Sequence, residues 1–173
     1  MINPMPTKII YCYGEYQDRF RDLPSNLILS DGLVGLNDID RDERNLVILD
    51  DLMHEVGGNT EVADLFTKGS HHRNLSVIMI VQNIFHQSKI MRTVSLNSHY
   101  IVIFKNPRDA GQIRSLAYQL FPGKVNYLVE AYKQATSRPH GYLVLDLTQS
   151  TNDNHRILSD ILPNEDRYVY LPK

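Results

Sequence analysis

The sequence predicts an α/β fold, a mostly parallel sheet flanked by helices, and two observations carry that prediction. Apolar runs rich in β-branched and aromatic residues, KIIYCY, NLVILD, LSVIMIV, YIVIF and GYLVLDL, recur along the chain without polar alternation, as strands covered on both faces require. Between them lie segments with helical apolar spacing, and strands separated by helices are what a parallel sheet needs for its crossovers. With 173 residues and 42% hydrophobic content the chain can bury a sizeable core, and its length favours one domain spanning 1–173.

The elements follow in order. Lys8 to Tyr13 reads as a strand closed by Gly14, and residues 15 to 23 as a short helix. After Pro24, NLILS reads as a short strand, and DGLVGLNDIDRDER supplies the Gly, Asn and Asp of a loop or broken turn. NLVILD, residues 45 to 50, is the next strand; Gly57 and Gly58 break the chain. From Asn59 or Thr60 the spacing of Val62, Ala63, Leu65 and Phe66 suits a helix to about Lys68. Leu75 to Asn83 and His99 to Pro107 hold two further strands. Asp109 can cap a helix whose Ile113, Leu116, Ala117 and Leu120 share one face until FPG ends it, and a second helix runs from about Val125 to Gln134. Gly141 to Leu147 is another strand, and a polar tail closes on RYVYLP.

Composition narrows the class. A formal charge of −2 does not mark a nucleic-acid binder, although cations confined to loops can still line a channel in an assembly. The single cysteine, Cys12, cannot form an internal disulfide and reads as a small core residue in a reducing compartment. There is no basic and apolar leader and no apolar run of membrane-spanning length. The expectation is a soluble intracellular protein, with nucleus and cytoplasm not distinguished and no membrane partner.

RNLVILDDLMHEV poses the functional question, because two adjacent carboxylates end a strand that is otherwise apolar. In an open α/β sheet ligands bind beyond the carboxyl ends of the strands. Asp50 and Asp51 stand at such an end, where they repel one another unless a cation or donors neutralise them. Mg²⁺, which takes oxygen ligands and keeps several waters, is the natural occupant. The purely structural alternative is an Asx turn or helix cap after the strand. Gln82 and Asn83 end another apolar strand; an amide there can accept from a water while donating to a phosphate, or simply tie down a loop.

LVILDD, DLFTKGSHHRNLSVIMIVQNIFHQ, RTVSLNSHYIVIFKNPRD and ATSRPHGYLVLDL together resemble the DNA-packaging ATPases of large DNA viruses and of Maverick or Polinton transposons, in the HerA and FtsK branch of P-loop NTPases. The resemblance extends over nearly the whole chain. It implies that Asp50 holds Mg²⁺ through water, that Asp51 polarises the attacking water, and that Gln82 is the phosphate sensor. It further implies a homo-oligomeric ring acting on double-stranded DNA with Mg²⁺ and ATP, in which an arginine of one subunit reaches its neighbour's phosphates. Arg73 is the first candidate for that arginine, with Arg92 and Arg108 behind it. Lys68, Arg73, Lys105 and Arg108 are candidates for DNA phosphates.

One expected motif is missing. No G-x-x-x-x-G-K-[ST] run, whose backbone N–H groups and lysine hold phosphates, occurs in the sequence; FPGK at 121–124 is followed by Val125 and lacks the earlier glycine. The sequence therefore reads as a family ATPase lacking its front part, the P-loop and the central strand before it. Three expectations follow. Hydrolysis by this polypeptide alone is weak or absent; the sheet has an unpaired interior edge, open to aggregation; and the chain is poorly stable or pairs strands that the complete protein keeps apart. Two alternatives stay open. One is a non-catalytic ring subunit or domesticated interaction protein. The other is a metal-dependent nuclease using His71, His72, His86 or His99 with Asn74 and the aspartates, although no H-x-H or H-x-x-x-H pair is present.

Overall fold

A computed structural model describes residues 4–24, 27–52, 60–69, 74–83, 89–108 and 111–172. The chain divides into two compact units, Met1–Asn97 and Ser98–Lys173.

The first unit is built on four parallel strands: β1 (Lys8–Tyr13), β2 (Leu27–Asp31), β3 (Asn45–Asp50) and β4 (Leu75–Ile80), in the spatial order β2-β1-β3-β4. Their register sets which residues share a face. Ile10, Val47 and Val77 lie abreast, as do Cys12, Leu49 and Met79. That face is the covered one, packed by Val62 of α1 (Thr60–Asp64), by Leu65 and Phe66 of the wide π turn Leu65–Gly69 that continues it, and by Met91 and Val94 of α2 (Lys89–Asn97). Val47 and Leu49 are essentially inaccessible, and each such side chain contributes roughly 1.5–3 kcal/mol by leaving water.

The opposite face carries Tyr11, Ile48 and Ile78 in one row and Tyr13, Asp50 and Ile80 in the next. It is covered more thinly. Phe20, from a short 3₁₀ helix at Asp18–Asp22, packs its ring 5.3 Å from Tyr11 and 5.1 Å from Tyr13, while Ile78 and Ile80 remain 42% and 48% exposed.

The second unit is antiparallel. β5 (Tyr100–Phe104), β6 (Tyr142–Asp146), β7 (Ile157–Ser159) and β8 (Tyr168–Tyr170) pair in sequence order, and α3 (Gly111–Leu120) and α4 (Val125–Ala135) stand between the first two strands. The expected parallel arrangement thus holds for the first unit alone, and the connection explains the difference. A single crossover helix returns the chain to the start of a parallel neighbour, whereas a helix pair reverses it twice and delivers it to the far end.

Every residue of β6 is buried. Its terminal Asp146 accepts from the Thr148 N–H at 3.0 Å and from the hydroxyls of Thr148 and Thr151 at 2.7 and 2.8 Å. At the strand's other end the Tyr142 hydroxyl donates to Glu165 Oε2 at 2.6 Å and accepts from the Ile161 N–H at 2.9 Å, while Arg138 pairs with Asp160.

The sequence-predicted strands and the two helices at 111–135 are present. The helix expected to about Lys68 is present, α-helical over Thr60–Asp64 and continuing in π form over Leu65–Gly69. Residues 15 to 23 yield a 3₁₀ helix, while α2, β7 and β8 go beyond the expected elements. Asp109, Gly57 and Gly58 lie outside the described residues. Among the described residues, β4 pairs on one side only, with β3, and β5 on one side only, with β6. None of the described helices is long and apolar enough to cross a membrane.

Candidate functional site

The site is assembled at the carboxyl ends of three adjacent parallel strands. Asp50 is the last residue of β3 and is half-buried on the thinly covered face. Period-two alternation places Tyr11 on that same face of β1, and its hydroxyl donates to Asp50 Oδ2 at 2.5 Å. The short bond to a charged acceptor orients the carboxylate. Around it lies a shallow depression of about 470 Å³ lined by Tyr11, Phe20, Leu23, Asp50 and Ile80.

Asp51 leaves the sheet at once. Its backbone adopts a left-handed conformation, φ 56°, which aspartate tolerates better than most residues, and its side chain is exposed. Gln82 lies two residues beyond β4, and because β4 pairs with β3 in register through Ile80 and Asp50, the loops after the two strands emerge side by side. The Gln82 amide donates to Asp51 Oδ1 at 3.4 Å, at the long limit of a hydrogen bond.

The loop after β1 also presses against this turn. A β-carbon on Gly14 would stand 3.0 Å from the Asp51 carbonyl oxygen, so glycine lets the two backbones approach.

Asp50, Asp51 and Gln82 are therefore brought together as adjacent strand ends. Arg73, with His71, His72 and His86, lies outside the described residues. Arg92 is exposed on α2, while Arg108 and His99 are exposed in the second unit. Lys68 pairs with Asp64 at 3.0 Å, an ordinary solvent-exposed i,i+4 contact. Asn74 takes up a turn, its carbonyl accepting from the Asn45 N–H at 3.0 Å. No cluster of three His, Cys, Asp or Glu with metal-holding geometry occurs among the described residues.

Sequence reasoning passed over Tyr11, Phe20 and Gly14. The aromatic density of YCYGEYQDRF was a usable signal, but its relevance to Asp50 depends on β1 lying beside β3, which the linear order does not disclose. Comparison of the chain with protein-family models, with curated proteins and with solved structures finds no match.

Proposed function

We propose that this chain is the magnesium- and water-handling part of an ATP-driven motor that moves double-stranded DNA, of the HerA and FtsK type. The observation that supports this reading best is the convergence of Asp50, Asp51 and Gln82 at the carboxyl ends of two paired parallel strands, the part of an α/β sheet where phosphates are handled.

Each side chain has a task suited to its setting. Asp50 offers the hard oxygens that Mg²⁺ prefers, and the Tyr11 hydroxyl keeps its carboxylate in one orientation. The metal, when bound, neutralises charge on the phosphates. Asp51, exposed at the strand end, accepts a hydrogen bond from the attacking water and takes up its proton. Gln82 holds Asp51 and turns its amide toward the terminal phosphate. Arg73, through a neighbouring subunit of a ring, supplies the cation that stabilises charge on the transferred group.

The sequence contains no G-x-x-x-x-G-K-[ST], so on the motor reading these residues do not supply the phosphate cradle, and the chain by itself binds ATP weakly and turns it over slowly or not at all. The same absence favours a second reading, a ring subunit that keeps the scaffold without the chemistry.

Binding of a fluorescent ATP analogue to the folded chain, with and without Mg²⁺, separates the two. The motor reading expects weak, magnesium-dependent binding that Asp50→Asn abolishes. Binding indifferent to magnesium and to Asp50→Asn would remove the assignment of Asp50; no binding by a folded sample would assign the scaffold role.

A further inference from the structure

A groove of about 860 Å³ runs over the surface of the second unit, between α3, α4 and β8. Its size lies within the range of sites that hold a small ligand or a short stretch of polymer. The walls carry Arg114 and Tyr118 from α3, Lys124 from the turn between the helices, Glu130 from α4 and Tyr168 from β8.

Two properties of these walls have no structural explanation. Tyr118 and Tyr168 leave 65% and 58% of their surface to water, although packing such rings is among the larger gains available to a fold. Among the described residues, neither Arg114 nor Lys124 has an ion-pair partner. The groove between them is nonetheless well braced. The Tyr127 hydroxyl donates to the Tyr170 carbonyl at 2.6 Å, and Phe121 sets its ring edgewise 5.7 Å from Tyr127. A braced groove that presents exposed rings beside unpaired cations is a surface prepared for an occupant that is both flat and anionic.

We infer that this groove binds a short single-stranded segment of nucleic acid. Arg114 and Lys124 take the phosphates, and Tyr118 and Tyr168 offer faces on which bases stack, the combination by which proteins hold single strands without reading sequence. A duplex presents phosphates but keeps its bases stacked on one another, leaving the tyrosines without a partner. An acidic peptide engages the cations alone and a proline-rich peptide the rings alone. Glu130, also on the groove wall, repels phosphate, so the backbone is held by Arg114 and Lys124. The assignment is independent of the Asp50 site and of any ATP chemistry.

The test uses the full chain and a labelled oligo-dT of about ten nucleotides, a length matched to single-strand site sizes, beside a duplex of equal length. With ten tyrosines and no tryptophan, quenching of tyrosine emission reads stacking directly. Expected results are preference for the single strand, roughly ten-fold weaker binding for Tyr118→Ala or Tyr168→Ala with retention in Tyr118→Phe, and a fall of about 0.7 in the salt slope for each of Arg114→Gln and Lys124→Gln. All of these positions are exposed, and circular dichroism verifies that each variant is folded. Absence of binding at low salt, or binding indifferent to all four positions, overturns the inference. Equal affinity for the duplex also overturns it, as does exclusive binding of a proline-rich peptide through the same tyrosines.

Discussion

Tyr11 is the residue on which the arrangement of the candidate site turns. Its hydroxyl is bound to Asp50 Oδ2 while its ring packs edge-on against Phe20, so Tyr11→Phe removes the bond and keeps the packing. A part-buried hydrogen bond to a carboxylate supports a loss of about 1 kcal/mol in the first unit, readable in urea unfolding, together with weaker magnesium-dependent nucleotide binding. Unchanged binding with lowered stability would make the bond purely structural. Asp146 provides a prediction of a different kind. Burial alone would push its carboxyl up, but hydrogen bonds from Thr148 and Thr151 and the charge of Arg156 outweigh it and hold the group below its ordinary value of 3.8. A carboxyl lowered by folding contributes stability that is fully present above its unfolded value and is lost as pH falls through the folded one. Thermal melts should therefore show wild type losing an advantage over Asp146→Asn below about pH 4, with the difference constant between pH 5 and 7. A difference that grows on acidification would reverse the sign of the argument.

At the scale of elements, what was legible in the sequence follows from which forces are local. The strands were readable because β-branched runs such as NLVILD and YLVLD declare themselves over a few residues, and both are strands over the expected spans. The helix α2 was not readable. KIMRTVSLN contains β-branched and polar residues at helix-neutral positions, and it is bound to the core by buried Met91 and Val94 with Ile90 packed beside them, which is tertiary rather than local information. The three-residue strands β7 and β8 escape for the same reason, since they exist by pairing to β6 and to each other. Of the candidate site, Asp50, Asp51 and Gln82 were legible as polar endings of apolar runs, whereas Tyr11 and Gly14 needed the register. Gly141 shows how narrowly one connection is drawn. A β-carbon there would stand 2.3 Å from the Ala135 carbonyl oxygen and 3.1 Å from that of Arg138, both backbone atoms that cannot yield cheaply. Gly141→Ala is accordingly expected to cost about 1–3 kcal/mol and to loosen the entry into β6. Hydrogen exchange of the β6 amides, faster in the variant and unchanged in β1 and β3, is the measurement that checks it.

For the whole molecule, the consequential feature is that each sheet ends in a strand whose apolar residues remain in water. Ile78 and Ile80 on β4 are 42% and 48% exposed, and Tyr100, Val102 and Phe104 on β5 are 58%, 49% and 61% exposed. Edge strands in soluble proteins are ordinarily blunted by charge, proline or a bulge, and IMI and YIVIF carry none of these. The first unit is not short of core on its other face, where Cys12, Val47 and Leu49 are fully buried; the imbalance is confined to one face and to the free edges. Such surfaces gain by recruiting another strand or another copy of the chain. The chain alone is therefore expected to associate as its concentration rises, with light scattering reporting oligomers at tens of micromolar, and Ile78→Lys combined with Val102→Lys is expected to restore a monomer. Because both positions are exposed, the substitutions should leave the melting temperature nearly unchanged. Association that persists in the double variant would shift the cause to another surface, with the tyrosine-lined groove beside β8 next to be tested through Tyr168→Ala.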